Sequence, residues 1–553
     1  MPRDRLSDLP DDLLRRVLHF APAREGASTA ALSRRWRALW RSSATFNLDL
    51  DLDSLFPGDG DGDGDDSGGD LNAAERFLRG AEAALAAASS DGPLRRLAFR
   101  VEADDDFKLY AFLRFGADHS MADMVADLLR TPAARRLEEI HILAADRHGQ
   151  TCYDFFELDF CALPSETLRV LHLGDHGALT PPPPGAAAPS FRRLADLRLT
   201  GCAVSLAGLQ RIVDAAPQLA AVHLEYSDFR GEFLDDAEAE CDRLVFPAVI
   251  SLVFAQCKWL SHDHGLELDA PKLRYFRYKG IVHLDHGLSL RPQPSSKSDH
   301  LIRVDVHLID SRCEEDKICA PLWQFLQNFG MARVLKLKLD FAIDHMAVTD
   351  DKGQEDLLGN RLFYNVENLE IEGPYDSKSN AAAVAIGNLL NSCPVVCDLR
   401  LRLTEASVKK KFRRSSSLAH LAGIKEKLDF EKSVNQFRLR RTPAMLSGGD
   451  YDEDYEVTNI PGLSEHSFSC LQSYLRRVVL EFHMDKPNCF GVQLAKFFAE
   501  NAEVLQELYI DDGNHKLWEH VNRKVQRWVI NSSKKINFPA TTDLQVLPYE
   551  SLK

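Results

Sequence analysis

The residues of this chain whose types and spacing could do chemistry form two small groups, and neither makes a complete site. Asp59, Asp61 and Asp63 alternate along an acidic tract, with the spacing and hard oxygen ligands of a calcium-binding loop. The twelfth position of such a loop is Asp70, where a longer bidentate Glu is usual, and the segment that enters it, Leu55-Phe56-Pro57-Gly58, is not helical. We therefore interpret the tract as a solvated low-complexity linker.

A second group, Cys257 with His262 and His264, has residue types that bind zinc. The set is incomplete and lies between a predicted strand and a turn. The sequence also contains no phosphate-binding glycine loop, nucleophile elbow or zinc-protease helix. We therefore predict no catalytic residues, no metal and no cofactor, and we interpret the chain as a binding protein. An enzyme hidden among the other segments is the least favoured alternative.

Composition and charge limit the class of protein further. The chain has 553 residues, is 45% hydrophobic and 27% charged, and carries a formal net charge of −16. This acidic balance opposes unspecific binding to nucleic-acid phosphates. No apolar run is long enough to span a bilayer, and the N-terminus lacks the apolar core of a signal peptide. We expect no nucleic-acid or membrane partner, a location in the cytoplasm and/or nucleus, and reduced cysteines.

The elements that organise the chain are copies of a hexamer, apolar-x-x-apolar-x-apolar. The copies begin at Leu137, Leu168, Leu194, Leu219, Val249, Leu273, Val334, Val366, Val396, Leu475 and Leu505. Many are separated by roughly 24–32 residues, the period of a leucine-rich-repeat array. The last two apolar positions of each copy alternate on a short strand and point the same way, and stacked neighbours then build one continuous core.

The residue between those two apolar positions should lie on the concave strand face. These residues are His141, His172, Arg198, His223, Val253, Arg277, Lys338, Glu370, Arg400, Val479 and Tyr509. The four permanent cations, Arg198, Arg277, Lys338 and Arg400, are candidate target-binding residues. Such a wall would favour an acidic or phosphorylated segment of a target protein. The alternative is a solvated strand face whose composition is due to chance.

The N-terminal segment carries two apolar stripes at helical spacing. Pro10 suits a first helical turn, and Asp11 and Asp12 suit the positive end of a helix dipole. The first stripe consists of Leu13, Leu14, Val17 and Leu18, and the second of Leu32, Trp36, Leu39 and Trp40. So short a segment cannot hide both stripes by itself. It is either a helical cap on the repeats or a module that binds a partner.

This segment resembles a known family. Leu9-Pro10-Asp11-Asp12-Leu13-Leu14, the stretch from Thr29 to Trp36 and Leu39-Trp40 look like the F-box of plant F-box/leucine-rich-repeat proteins. The resemblance implies a three-helix module that docks the small Skp adaptor. The implied adaptor contacts are Leu9, Pro10, Leu13, Leu14, Leu18 and Trp36.

The C-terminal segment is similar to the FBD region of the same family. The similarity covers Tyr474 to Phe482, Phe497 to Ala502 and Leu505 to Ile510. Arg476 and Arg477 stand where the family usually has Lys at one or both positions. The region is expected to be the last repeats plus a cap, and it carries no agreed chemistry.

Together these patterns predict an α/β fold: a three-helix F-box followed by a leucine-rich-repeat solenoid, with a curved parallel sheet and convex helices. The predicted domains are 1–50 for the F-box, 51–92 for an acidic Gly/Asp linker and helix, 93–408 for the repeat array, 409–460 for a mobile insertion, and 461–553 for FBD-like C-terminal repeats and a cap. The resemblance implies a non-catalytic receptor subunit of a Skp–cullin–F-box ubiquitin ligase, which binds the adaptor, the cullin through it and an unknown target protein. The alternative is a repeat scaffold with no ligase role.

Overall fold

The computed structural model of the chain forms two compact units, Met1–Leu273 and Arg274–Lys553, here called the N-terminal and the C-terminal unit. The described residues are 9–29, 31–55, 67–90, 94–114, 123–146, 155–174, 177–182, 190–229, 243–258, 265–281, 288–290, 301–309, 318–349, 358, 363–406, 456–464, 466–482, 488–511, 524–525, 527–528 and 545–547. None of the helices within these residues is both long and apolar enough to cross a membrane.

The N-terminal unit contains eight described α-helices, and four of them begin at a side chain that caps them. The eight are α1 (Asp11–Phe20), α2 (Ala23–Thr29), α3 (Arg34–Ser42), α4 (Leu52–Leu55), α5 (Ser67–Ser90), α6 (Asp106–Leu113), α7 (Met124–Arg130) and α8 (Leu206–Ala215), with short 3₁₀ helices at Pro132–Arg136 and Phe160–Ala162. Ser33, Asp105, Asp123 and Ser205 each accept a backbone N–H from the first turn of the helix that follows. These bonds satisfy donors that have no partner within the helix.

Strands of the N-terminal unit build a parallel sheet. They are β1 (Thr45–Asp51), β2 (Arg96–Ala103), β3 (Glu139–Asp146), β4 (Phe156–Asp159), β5 (Val170–Gly174), β6 (Gly177–Thr180), β7 (Asp196–Thr200), β8 (Ala221–Glu225), β9 (Arg243–Val245), β10 (Ser251–Ala255) and β11 (Glu267–Asp269). The main sheet has the order β1-β2-β3-β5-β7-β8-β10, and every neighbouring pair is parallel. Two short parallel pairs, β4 with β6 and β9 with β11, accompany it.

The C-terminal unit also consists of a parallel sheet with accompanying helices. Its strands are β12 (Tyr275–Gly280), β13 (Ser289–Leu290), β14 (Arg303–Leu308), β15 (Val334–Leu339), β16 (Asn368–Tyr375), β17 (Asp398–Glu405), β18 (Arg477–Phe482), β19 (Glu507–Asp511) and β20 (Gln545–Leu547). Its helices are α9 (Cys319–Gln327), α10 (Ala381–Ser392), α11 (Ser469–Ser473) and α12 (Phe490–Asn501), with a 3₁₀ helix at Ile343–Met346. The parallel order is β12-β14-β15-β16-β17-β18-β19-β20.

The core lies on one side of these strands. In β7, Leu197 and Leu199 are buried while the residues between and beside them are not, the period of two expected of a strand with one buried face. Helices such as α8 pack onto that side through Leu209 and Ile212. The predicted α/β class is therefore confirmed: an N-terminal helical module precedes a large parallel sheet to which successive repeats contribute strands.

Small polar side chains join successive repeats of the N-terminal unit at the ends of their strands. Each follows a residue with left-handed backbone, namely Gly201, Tyr226 and Gln256. The bonds are Cys202 Sγ to the Leu173 carbonyl at 3.7 Å, Ser227 Oγ to the Leu199 carbonyl at 3.2 Å, and Cys257 Sγ to the Leu224 carbonyl at 3.3 Å. The fixed cysteine of a leucine-rich repeat has this position, three residues after the last strand leucine. These thiols therefore act within the fold.

Several predicted segments fall outside the described residues. Residues 407–455, the bulk of the predicted mobile insertion at 409–460, are among them, as are residues 56–66 of the predicted linker. The division at 1–50, 51–92, 93–408, 409–460 and 461–553 stays a prediction. The described part of 461–553 contributes α11, β18, α12, β19 and β20 to the C-terminal unit.

Candidate partner-binding surfaces

The N-terminal helices share a small core. Leu14 and Leu18 of α1 pack against Trp36 and Leu39 of α3, and all four side chains are buried. Leu9 and Trp40, which lie at the edges of this cluster, are partly buried against it. Arg35 of α3 donates to Asp11 Oδ1 at 2.8 Å and to the Leu9 carbonyl at 2.6 Å, which holds the start of α1 against α3.

A second face of α1 remains uncovered. Leu13 is 44% exposed, Val17 is 49% exposed and Phe20 is 64% exposed. Their spacing of four and three residues aligns them on one helix face, about a quarter turn from Leu14 and Leu18. Leu32, just before α3, is 73% exposed. We call Leu13, Val17, Phe20 and Leu32 the apolar stripe; such exposed apolar side chains mark a surface that can bind another protein.

The structure divides the predicted adaptor contacts between surface and core. Leu13 and Pro10 are exposed, Leu9 is half-buried, and Leu14, Leu18 and Trp36 lie in the core of the helices. The prediction omitted Val17, Phe20 and Leu32, although Val17 is in the first sequence stripe and Phe20 continues it at helical spacing. Adaptor contact by any of these residues stays a prediction.

On the strand face of the N-terminal unit, a row of histidines crosses neighbouring strands. His141, His172, Arg198 and His223 are paired in register across β3, β5, β7 and β8. The imidazoles of His141 and His172 meet edge to face, with ring centroids 4.4 Å apart. Burial, followed by the electrostatic effects of His172, Arg96 and Arg198, lowers the pKa of His141 to about 3.

Carboxylates from the same strands neutralise this row. Asp196 Oδ1 lies 3.5 Å from His172 Nε2 and 3.3 Å from Arg198 Nε, and Glu225 lies 3.2 Å from His223 Nε2. Burial would raise the pKa of Asp196, but the neighbouring His172 and Arg198 outweigh burial and lower that pKa. The row therefore combines imidazole surface with little net charge.

The strand face of the C-terminal unit carries a ladder of ion pairs instead. Lys336 Nζ lies 2.9 Å from Glu370, Lys338 Nζ lies 2.6 Å from Glu372, and Arg402 lies 3.4 Å from Glu372. Arg400 and Arg402 share Glu481 of the next strand, so the ladder runs from β15 to β18. Burial would raise the pKa of Glu372, but the hydrogen bond and charge of Lys338 and the charge of Arg402 lower it overall.

The four predicted target-binding cations therefore differ in their surroundings. Arg198, Lys338 and Arg400 each have a carboxylate partner, whereas Arg277 is exposed and forms no ion pair with another described residue. Target binding by these four residues stays a prediction.

The strand register corrects one alignment. Lys336, not Lys338, lies in register with Glu370 and Arg400, and Lys338 lies one row further along the same face. Leu335, Leu337 and Leu339 are all buried, so the hexamer motif can be aligned with this strand in two ways, two residues apart. The copy that begins at Val334 therefore selected Lys338 in place of Lys336.

The metal candidates lie mostly outside the described residues. His262 and His264, and the Asp59–Asp63 part of the acidic tract, fall there, and the side chain of Asp70 is not described either. Within the part of the chain that the structure describes, no group of three or more His, Cys, Asp or Glu side chains is placed to hold a metal ion.

Comparison with known proteins identifies the helical module. Residues 6–47 match the F-box domain model. A putative FBD-associated F-box protein of Arabidopsis thaliana is 45% identical over 51 residues, which is 9% of this chain and 27% of the relative. F-box/LRR-repeat protein 13 of the same plant is 25% identical over 284 residues, covering 50% of this chain and 51% of the relative.

A third relative extends the similarity to the FBD type. An F-box/FBD/LRR-repeat protein of Arabidopsis thaliana is 25% identical over 278 residues, covering 50% of this chain and 52% of that protein. The chain thus spans from about a quarter to about half the length of these curated relatives. The N-terminal helices are an F-box domain, carried by a chain that is similar to plant F-box/LRR-repeat and F-box/FBD/LRR-repeat proteins.

Proposed function

We propose that this protein is a non-catalytic substrate receptor of a Skp–cullin–F-box ubiquitin ligase, which binds the Skp adaptor through the F-box and a target protein through the repeat sheet. The observation that carries the proposal is the apolar stripe of Leu13, Val17, Phe20 and Leu32 on a domain of F-box type. Burying a side chain of this size contributes about 1.5–3 kcal/mol, so an adaptor that covers the stripe gains a substantial part of its affinity there.

Such a receptor would promote ubiquitin transfer by positioning its bound target. A cullin recruited through the adaptor would bring a charged conjugating enzyme close to the bound target. The gain is a raised effective concentration of the two reactants, so the receptor needs no reactive group of its own.

The direct test is adaptor affinity, measured by calorimetry with a purified plant Skp protein. We expect the double variant Leu13→Asp/Val17→Asp to weaken binding by at least about 100-fold, because two charges would enter an apolar contact. The matched control is Phe107→Asp, which makes the same kind of change at an exposed site on α6. It should leave the affinity within about twofold.

Two outcomes would count against the proposal. Equal binding by the double variant would mean that the stripe is not the adaptor site. If the unaltered chain did not bind the adaptor at all, the alternative of a repeat scaffold without a ligase role would be favoured.

For the target, we propose capture on the strand faces, with Arg277 as the cation most open to an acidic or phosphorylated segment. The support is its exposure and the absence of a carboxylate partner among the described residues. The test is affinity capture of targets from plant extract in which the proteasome is blocked. The variants are Arg277→Gln alone and a quadruple change that adds Arg198→Gln, Lys338→Gln and Arg400→Gln.

Both variants should capture less target, with reduced sensitivity to salt and unchanged adaptor binding, and Arg277→Gln should account for most of the loss. Equal capture by the quadruple variant would place the target site elsewhere on the chain.

A further inference from the structure

Asn47, a buried polar residue of β1, connects the F-box helices to the sheet of the N-terminal unit. Its Nδ2 donates to the His19 carbonyl at 2.9 Å and to the Ala21 carbonyl at 2.8 Å. Its Oδ1 accepts from Arg96 Nη1 at 2.6 Å. Both amide hydrogens and the amide oxygen are thus used, as a polar side chain that is only 4% exposed requires.

Arg96 of β2 reinforces the same contact. Its Nη1 also donates to the His19 carbonyl at 3.0 Å, and its guanidinium lies 5.7 Å from the centroid of the Phe20 ring. On the other side, Arg96 Nε lies 3.6 Å from Glu139 of β3. The end of α1 is therefore held from two strands, and the arginine that holds it is anchored to a third.

The helix end explains why this contact matters. The last carbonyls of a helix have no partner within the helix and must be satisfied by water, a cap or another element. Here side chains of the sheet bond the carbonyls of His19 and Ala21, the last turn of α1 and the residue after it. The F-box has a second attachment at its other end, where Ser43 and Ala44 alone separate α3 from β1.

We propose that Asn47 and Arg96 are positioning residues, which fix the direction in which the F-box is held against the first strands of the N-terminal unit. We call the contacts of Asn47 and Arg96 with the end of α1 the clamp. Phe20 belongs to the apolar stripe and also lies against Arg96, so the stripe and the sheet meet at the clamp. The consequence for ubiquitin transfer rests on the proposed function: an adaptor docked on the stripe would be presented at a set orientation to the strand face.

The first test needs no partner. Hydrogen exchange of the full chain, followed by mass spectrometry, compares the unaltered protein with Asn47→Asp and Arg96→Met. Aspartate keeps the size and can still accept from Arg96, but it cannot donate to the two carbonyls. Amides of α1 and α3 should exchange about tenfold faster in both variants, the factor expected when one or two net hydrogen bonds are lost. Strands β5 and β7 should be unchanged.

Two further variants separate positioning from general damage. Arg100→Gln removes an arginine from the same strand, where it forms an ion pair with Glu102 of that strand, and it should leave the exchange of α1 unchanged. Arg96→Lys keeps the charge opposite Glu139 and one donor for the His19 carbonyl, and it should restore part of the protection. Unchanged exchange of α1 in Asn47→Asp would overturn the clamp, as would equally faster exchange throughout the sheet.

The second test concerns presentation. Reconstitution with adaptor, cullin and conjugating enzyme allows the modified lysines of the chain itself to be mapped by mass spectrometry. We expect Asn47→Asp to keep its adaptor affinity within about twofold, because the stripe is intact. The modified lysines should spread over a wider set. An unchanged set, together with faster exchange of α1, would refute the positioning role. Failure of the unaltered chain to bind adaptor would refute the proposed function instead, and the exchange result would still decide the clamp.

Discussion

The F-box helices and the repeat sheet differ in how completely they bury their apolar side chains. In the sheet, each strand covers its apolar positions with the next repeat, so that Leu335, Leu337 and Leu339 of β15 are all buried. In the F-box, three short helices close over Leu14, Leu18, Trp36 and Leu39 and leave Leu13, Val17 and Phe20 of the stripe uncovered on the same helix α1.

The difference follows from size and repetition. A stacked repeat always has a neighbour to cover it, whereas a module of about forty residues has a high ratio of surface to volume and buries a smaller part of its chain. The apolar residues along α1 are thus divided between an inner and an outer face. The module caps the sheet through the Asn47 contact and also offers the stripe, so the two interpretations left open by the sequence are compatible.

The difference in stability between substitutions in the core and in the stripe should be largest at two adjacent leucines of α1. Leu14→Asp places a charge in the buried cluster and should destabilise the F-box by more than about 4 kcal/mol. Leu13→Asp lies in the exposed first turn, where an acid is also favoured by the helix dipole, and should change stability by less than about 0.5 kcal/mol. Hydrogen exchange of α1 to α3 measures both; a similar loss in the two variants would mean that the stripe is part of the core.

Substitutions at two glycines test the same difference between a packed and an open site, with a smaller expected change in stability. A Cβ on Gly26 of α2 would collide with the indole ring of Trp40, whereas one on Gly80 of α5 would meet nothing within 4 Å. We expect Gly26→Ala to cost about 1–3 kcal/mol by overpacking the F-box. Gly80→Ala should instead stabilise its helix by roughly 0.5–1 kcal/mol. Local hydrogen exchange in α2 and α5 checks both signs, and a stabilised Gly26→Ala variant would show that α2 and α3 are loosely packed.

On the sheet side, the histidine row predicts a dependence of stability on pH. The pKa of His141 is about 3 in the folded chain and near its ordinary value of 6.5 when unfolded. Between these values the unfolded state binds the extra proton, so the free energy of unfolding falls as the pH falls. From pH 7 to pH 5 the unaltered protein should lose up to about 2 kcal/mol more than His141→Gln. Urea unfolding at the two pH values measures this difference, and parallel losses would mean that His141 titrates normally.

How much the sequence reveals differs between these regions for physical reasons. The parallel sheet could be predicted because the hexamer recurs and the apolar residues of each copy indicate which of its positions are buried. The adaptor contacts could not be separated from the core because Leu13 and Val17 share helical spacing just as Leu14 and Leu18 do. Which of the two faces is covered depends on α3.

Contacts between distant strands are also hidden from local patterns. Glu372 and Glu481, which pair with the predicted cations Lys338 and Arg400, come from other repeats, and a single hexamer does not show which carboxylate will lie beside either cation. The same holds for the clamp, since Asn47 and Arg96 are brought together only by the pairing of β1 with β2.

We propose that a partner covers the stripe on the F-box, while the sheet needs no such cover for its core. Hydroxyl-radical footprinting of the full chain, with and without a Skp adaptor, tests it most directly. We expect Leu13, Val17, Phe20 and Leu32 to lose most of their reactivity when adaptor is added, while the exposed Phe107 and Ile250 keep theirs. Unchanged reactivity of the four stripe residues in the presence of bound adaptor would contradict it.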